Sequence, residues 1–166
     1  MTWWQCDRTS TVLEEKKCGG ILDFTNPEAF EFQTSRFRSL QEKYGLDGFK
    51  FDAGEVDYMP ENWEMFNKEL FSFGQYTTQY ARFCEQFGGN GEMRAAYKQQ
   101  AIYSGWTRFL DLTSNWGAYN GLRSIIPKAL TFTLAGYPWL MSDMVGGNVG
   151  GVEFKTEVPE EELYLR

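Results

Sequence analysis

The 166-residue chain has no histidine. That absence excludes Ser-His and Cys-His nucleophilic catalysis, imidazole acid–base work and histidine metal ligands. Proton transfer must then fall to Asp, Glu, Tyr or Lys. Cysteine is scarce: Cys6, Cys18 and Cys84 make no Cys-x-x-Cys pair and no zinc signature. Cys6 and Cys18 could close a short loop through a disulfide in an oxidising compartment, or stay as free thiols. The odd count decides neither. Positive charge is short too, with 16 basic against 23 acidic residues and a net charge of −7. No basic patch exists, so nucleic acid is not expected as a partner. No apolar run nears the ~20 residues of a membrane span, so no membrane segment is expected in this chain. Met1 leads straight into Thr2-Trp3-Trp4, without the charged and apolar regions of a signal peptide.

What is present is an aromatic load of 17% within a 42% hydrophobic composition. This is enough for one domain core. Rings interleaved with acids suit sugar recognition, because rings stack on pyranose faces and carboxylates bond hydroxyls. Most of the 14 phenylalanines are expected simply in the core.

The central stretch is Gly45-Leu46-Asp47-Gly48-Phe49-Lys50-Phe51-Asp52-Ala53-Gly54-Glu55. Aromatic residues favour an extended chain, so residues 46–52 predict a strand between glycine punctuation. Alternation puts Lys50 and Asp52 on one face, Phe49 and Phe51 on the other. A lysine beside an aspartate suggests a polar site centred on Asp52, or else a buried ion pair.

Elsewhere, residues 1–20 read as a loop anchored by Trp3 and Trp4. Residues 21–24 read as a strand. Asn26 and Pro27 predict a helix start; the helix runs to about Tyr44 with Phe30, Phe37, Leu40 and Tyr44 on one stripe, and Gly45 ends it. A helical region is predicted from Pro60, with Trp63, Phe66, Leu70 and Phe73 at helical spacing, and a second helix over 76–87. Strands are predicted over 92–97, 106–111 and 137–143. A helix from about Tyr119 to Leu134 is expected to bend at Pro127. A glycine-rich loop follows Met144, and the acidic tail predicts a solvated helix.

A form recurs: strand, aspartate at its C-terminal end, loop, helix. It appears at Asp23, Asp52, Asp111 and Asp143. Alternating strands and helices predict a parallel α/β sheet, and acids gathered at strand C-termini predict a (β/α) barrel face. A full barrel takes eight units and about 250 residues. The chain holds about five units, so the sheet is either open and doubly wound or part of a barrel.

Asp52 and Asp111 form the candidate catalytic pair. Retaining glycoside hydrolysis needs two carboxyls about 5–5.5 Å apart, one a nucleophile and one an acid, with environments that separate their protonation. Lys50 would favour ionised Asp52; apolar neighbours and Trp106 and Trp116 would favour protonated Asp111. Alternatively, Asp52, Glu55, Asp111 and Asp143 could chelate Mg²⁺. There is, however, no Gly-Lys-Ser/Thr phosphate loop, and no cofactor is expected.

Four stretches taken in order carry a family resemblance: Leu22-Asp23-Phe24-Thr25-Asn26-Pro27-Glu28-Ala29, Phe49-Lys50-Phe51-Asp52-Ala53-Gly54-Glu55, Asp111-Leu112-Thr113-Ser114-Asn115-Trp116, and Gly136-Tyr137-Pro138-Trp139 through Asp143-Met144-Val145-Gly146-Gly147. Together they resemble glycoside hydrolase family 31, and within it the myogenesis-regulating glycosidase branch. The resemblance implies a retaining α-glycosidase on a (β/α)8 TIM barrel, acting on an oligosaccharide or glycoside. It places Asp52 as nucleophile and Asp111 as acid/base. Arg94 would hold sugar hydroxyls near the acid/base and Asp143 would support the site. Trp3, Trp4 and Trp116 would lie near substrate. Lys50 and Glu55 suit this branch better than the common α-glucosidases and make an α-galactoside a reasonable substrate. Residues 1–166 would form one partial barrel domain, about strands 3 to 7, with the remainder of the barrel expected in the full-length protein. Alone, the chain is expected to be poorly stable and inactive. The branch implies the secretory pathway. A non-catalytic carbohydrate-binding fragment is the rival expectation.

Overall fold

In a computed structural model of the chain, the described residues are 2–6, 18–56, 59, 64–70, 72–95, 97–98, 100, 102–148 and 158–166. Helix α1, Pro27–Tyr44, has both expected ends. The Asn26 side chain accepts the Glu28 N–H at 3.0 Å, Pro27 takes the first turn, and Gly45 closes the helix at φ 63° with its N–H on Gln41 O. Both caps satisfy backbone groups that the helix itself leaves unpaired.

Four short strands form the parallel sheet: β3 (Lys50–Phe51), β4 (Glu92–Met93), β5 (Trp106–Arg108) and β6 (Leu140–Met141). Their spatial order is β3-β4-β5-β6, every neighbouring pair parallel. Order in space follows order in the chain. A doubly wound sheet reverses its order at a switch point; a barrel does not. The sheet is therefore a portion of a (β/α)8 TIM barrel with flanking helices. The strands are shorter than their sequence patterns predict, although single ladder bonds extend them, as from Glu92 N to Phe49 O and from Phe109 N to Met141 O.

The strand expected over 21–24 is not in this sheet. Instead β1 (Thr2–Cys6) and β2 (Cys18–Ile21) form a separate antiparallel ribbon, with Cys6 opposite Cys18 in register. The loop expected over 1–20 thus has a strand at each end. Asp23, just beyond the ribbon, serves as a clasp. Its buried carboxylate accepts from Thr25 N at 2.9 Å, Thr25 Oγ1 at 2.6 Å and Phe66 N at 2.5 Å.

Helix α2, Phe73–Glu85, starts earlier than expected and ends two residues sooner. Of the helical region expected from Pro60, residues 60–63 lie outside the described residues. The following residues hold only a 3-10 turn, Lys68–Leu70, and Phe66 is exposed. The stripe on α1 is also corrected: Phe30 and Phe37 pack inward, whereas Leu40 and Tyr44 are exposed.

The core lies between α1, α2 and the helix-facing side of the sheet. Phe51 and Phe49 point there as the alternation requires, with Phe37 at 6.0 and 4.9 Å between ring centroids. Phe83 stacks on Phe24 at 4.8 Å and meets Phe37 edge-on at 5.3 Å. Buried rings in such contacts add about 0.5–1.5 kcal/mol per pair beyond their area.

A 3-10 turn, Leu122–Ser124, leads into α3, Ile125–Leu134. Pro127 does not bend this helix. It sits in the first turn, where its missing N–H has no partner to lose. The terminal helix α4, Glu161–Leu165, is not wholly solvated, because Leu163 is buried.

Candidate active site

The strand ends that β3, β4, β5 and β6 present on one side carry a single charged cluster. Asp52 follows β3 directly, and the chain then takes Ala53 at φ 58° and Gly54 at φ 90°. Left-handed backbone costs an alanine about 1–2 kcal/mol. Helix α2 braces this loop from outside. Tyr80 Oη donates to the Asp52 carbonyl at 2.6 Å and Thr77 Oγ1 to the Gly54 carbonyl at 2.9 Å.

Two arginines hold the carboxylates. Arg94, one residue past β4, directs Nε at Glu55 Oε1 (2.5 Å) and Nη1 at Asp52 Oδ1 (3.2 Å) and Asp111 Oδ1 (3.4 Å). Arg108, the last residue of β5, reaches Asp52 through Nη2 (3.1 Å), Asp143 and Asp111 through Nη1 (2.7 and 3.4 Å), and Glu92 through Nε (3.3 Å). The Arg108 side chain is 6% exposed, against 61% for Asp52. Asp143 spends its other oxygen on Leu112 N at 2.7 Å, which ties the loop after β5 to the end of β6. Asn120 Nδ2 donates to the Asp111 carbonyl at 2.9 Å, and Lys128 Nζ donates to Asn120 Oδ1 at 2.9 Å. The open side of the sheet forms a concave space of about 930 Å³, lined by Lys50, Glu92, Trp106, Arg108, Met141 and Asp143 among others.

Asp52, Glu55, Arg94, Asp111 and Asp143 therefore converge. Lys50 stands one strand residue back and pairs with Glu92 at 3.8 Å. The cations on Asp52 are Arg94 and Arg108, not Lys50. The Trp116 indole N–H donates to Glu160, near α4. Trp3 and Trp4 lie on β1, with side chains outside the described residues. Asp23 is the clasp described above and lies apart from the cluster. Arg108 and Glu92 escaped the sequence analysis. Their signal was present: Trp106 and Arg108 alternate on β5 as Lys50 and Asp52 do along β3, and a charged strand residue facing a row of acids is a candidate partner.

The arrangement can do acid–base and nucleophilic work with carboxylates and can bond hydroxyls through several oriented polar groups. The acids face guanidinium groups, and among the described residues no group of three or more Asp, Glu, Cys or His is placed to hold a metal ion.

A sequential parallel barrel sheet with paired carboxylates at its strand ends defines a TIM-barrel protein of the glycosidase type. The chain belongs to glycosyl hydrolase family 31: the model of that family's TIM-barrel domain matches residues 2–166. It is 40% identical over 154 residues to the myogenesis-regulating glycosidase of Mus musculus, covering 89% of this chain and 21% of that protein. It is 28% identical over 158 residues to the sulfoquinovosidase of Escherichia coli K12, covering 89% of the chain and 22% of the relative. The SITS-binding protein of Tetronarce californica is 26% identical over 147 residues, covering 87% and 20%. The chain thus spans about a fifth of the length of these relatives. Its fold matches a family 31 sulfoquinovosidase from E. rectale, solved with an aza-sugar inhibitor, at a TM-score of 0.74 and 24% identity, over 89% of this chain and 23% of that one. Among the described residues, no helix is long and apolar enough to cross a membrane.

Proposed function

We propose that the protein containing this chain is a retaining α-glycosidase, with residues 1–166 as part of its catalytic barrel. Asp52 attacks the anomeric carbon as the glycosidic C–O bond breaks, and Asp111 gives its proton to the leaving oxygen. Asp111 then takes a proton from water, which displaces Asp52 from the sugar. Arg94 and Asp143 orient the site. An α-galactoside or α-glucoside is the substrate, with Lys50, Glu55, Trp3, Trp4 and Trp116 in the surrounding subsites.

One observation carries this reading. Asp52 Oδ1 and Asp111 Oδ1 both lie on Arg94 Nη1, at 3.2 and 3.4 Å, so they stand within two hydrogen-bond lengths of each other. That spacing suits the close carboxyl pair of a retaining enzyme better than the wider pair of an inverting one. Asp111 is the more loosely held of the two, at 3.4 Å from both arginines.

The test uses the full-length protein and a cyclitol aziridine. The expected result is one covalent adduct on the peptide carrying Asp52; an adduct elsewhere, or none, overturns the nucleophile. Asp111→Ala is expected to lower kcat/KM, which reports the step that expels the leaving group, about 10²–10⁴-fold for alkyl glycosides and far less for dinitrophenyl glycosides, which leave unprotonated. An equal loss for both removes Asp111 from the acid role. A second reading is carbohydrate binding without turnover, for which the oriented arginines and carboxylates would bond hydroxyls with no bond broken. Binding of an iminosugar with neither turnover nor aziridine labelling would establish it.

A further inference from the structure

The loop that carries Asp52 is fixed from two directions. On the open side of the sheet, two guanidinium groups hold the carboxylate. On the helix side, two hydroxyls hold the backbone. Thr77 and Tyr80 lie three residues apart on α2 and so share one face of it. Their hydroxyls donate to the carbonyls of Gly54 and Asp52, at 2.9 and 2.6 Å. Between those two carbonyls lies Ala53, at φ 58°. A non-glycine residue keeps such a conformation only where its surroundings over-determine it.

The Tyr80 ring closes the remaining freedom. A Cβ added to Gly54 would stand 2.5 Å from that ring, so the loop backbone lies flat against it. The ring is itself anchored, 5.8 Å from Phe24, 6.4 Å from Tyr76 and 6.5 Å from Phe83 between centroids. Burial raises the hydroxyl's pKa, which keeps it a hydrogen-bond donor at any physiological pH. Neither hydroxyl bonds the carboxylate itself.

We propose that Tyr80 and Thr77 are positioning residues: they clamp the Asp52 and Gly54 carbonyls and so set the angle at which the Asp52 carboxylate is presented to the anomeric carbon. The catalytic half of this inference rests on the glycosidase reading above. Attack geometry is sensitive, and a displacement of about 1 Å costs about 10²-fold in rate. Releasing one anchor therefore acts on the chemical step, while substrate affinity, set by other groups, stays near its original value.

The experiment compares the full-length wild type with Tyr80→Phe, Thr77→Val and Thr77→Ser. Tyr80→Phe keeps the ring packing and removes only the donor; Thr77→Ser keeps the hydroxyl. Amide hydrogen exchange over residues 53–55 reports the clamp, and kcat and KM on dinitrophenyl α-galactoside and α-glucoside report the chemistry. Expected are faster exchange in Tyr80→Phe and Thr77→Val, kcat lower by about 10–100-fold with KM within about threefold, and Thr77→Ser close to wild type. Wild-type exchange and kcat in Tyr80→Phe would overturn the proposal, as would a loss confined to the thermal midpoint. Should wild type neither turn over nor label at Asp52 while Tyr80→Phe still speeds exchange, the clamp stands and the glycosidase reading falls. An active wild type with an indifferent Tyr80→Phe gives the converse.

Discussion

The two faces of the β3–β6 sheet differ in almost every physical respect. On the helix-facing side, Phe51, Met93 and Thr107 are all buried, and rings from Phe24 to Phe87 pack with Phe51 and Met93. Toward the opposite side, which faces the interior of the barrel, Trp106 and Met141 lie beside the gathered charged groups of Lys50, Glu92 and Arg108. The helix-facing side is held by area and packing, which are non-directional. The open side is held by ion pairs, which are directional and costly to leave unpaired. One face therefore tolerates substitution by shape, the other only by charge and geometry. Separating the two jobs lets a stiff apolar layer support a polar constellation that contributes little cohesion of its own.

The sharpest way to break this comparison is at Arg108, the nearly buried cation shared by Asp52, Glu92, Asp111 and Asp143. In the full-length protein, Arg108→Met is expected to cost about 3–5 kcal/mol in urea unfolding, since it strands the buried Asp143 carboxylate. It is also expected to lower kcat by about 10²–10³. Unchanged stability would mean that the open face takes no part in the fold.

Phe83→Ala probes the other face. Phe83 is 2% exposed and touches rings from both helices and β3. Its truncation is expected to cost about 3–5 kcal/mol, with kcat per aziridine-titrated site lowered far less than in Tyr80→Phe, because Phe24 and Tyr76 still hold the Tyr80 ring. A fall in kcat as large as that of Tyr80→Phe would show that packing, and not the hydroxyl clamp, positions Asp52.

The smallest effect is expected with alkali. Burial raises the pKa of the Cys84 thiol and of the Tyr76, Tyr80 and Tyr103 hydroxyls, from ordinary values of 9.0 and 10.0. The folded state therefore holds these protons longer than the unfolded one. Stability is fully present below about pH 9 and falls as pH rises beyond it. Cys84→Ala is expected to remove the earliest part of that decline, measured as the thermal midpoint between pH 8 and 11. A decline that begins below pH 8 would point to the ion pairs instead.

Much of the helix-facing layer was legible in the sequence, because its signals are local. Asn26, Pro27 and Gly45 mark α1 through bonds within a few residues, and the spacing of Tyr76, Tyr80 and Phe83 marks the buried side of α2. The alternation of Phe49 with Lys50 assigned both sides of β3 correctly. Strand length was overestimated because pairing depends on neighbours that lie far along the chain. For the same reason the partner of Asp52 was misread as Lys50, two residues away, when it comes from Arg94 and from Arg108, 56 residues on. Asp23 shows the same limit. It repeats the strand-end pattern of Asp52, yet it caps Phe66 rather than joining the site.

The wide chain spacing of the Asp52 ion pairs has a consequence for synthesis. All the rings of the aromatic layer except that of Tyr103 have been made by Phe87, and β4 ends at Met93. Arg94 emerges next, but Arg108 and Asp143 follow only later. At about 5–20 residues per second, residues 95–108 take about 1–3 s to appear. During that interval the nascent chain can already assemble the support for Asp52, while its carboxylate waits, with one arginine in place, for the second to be made.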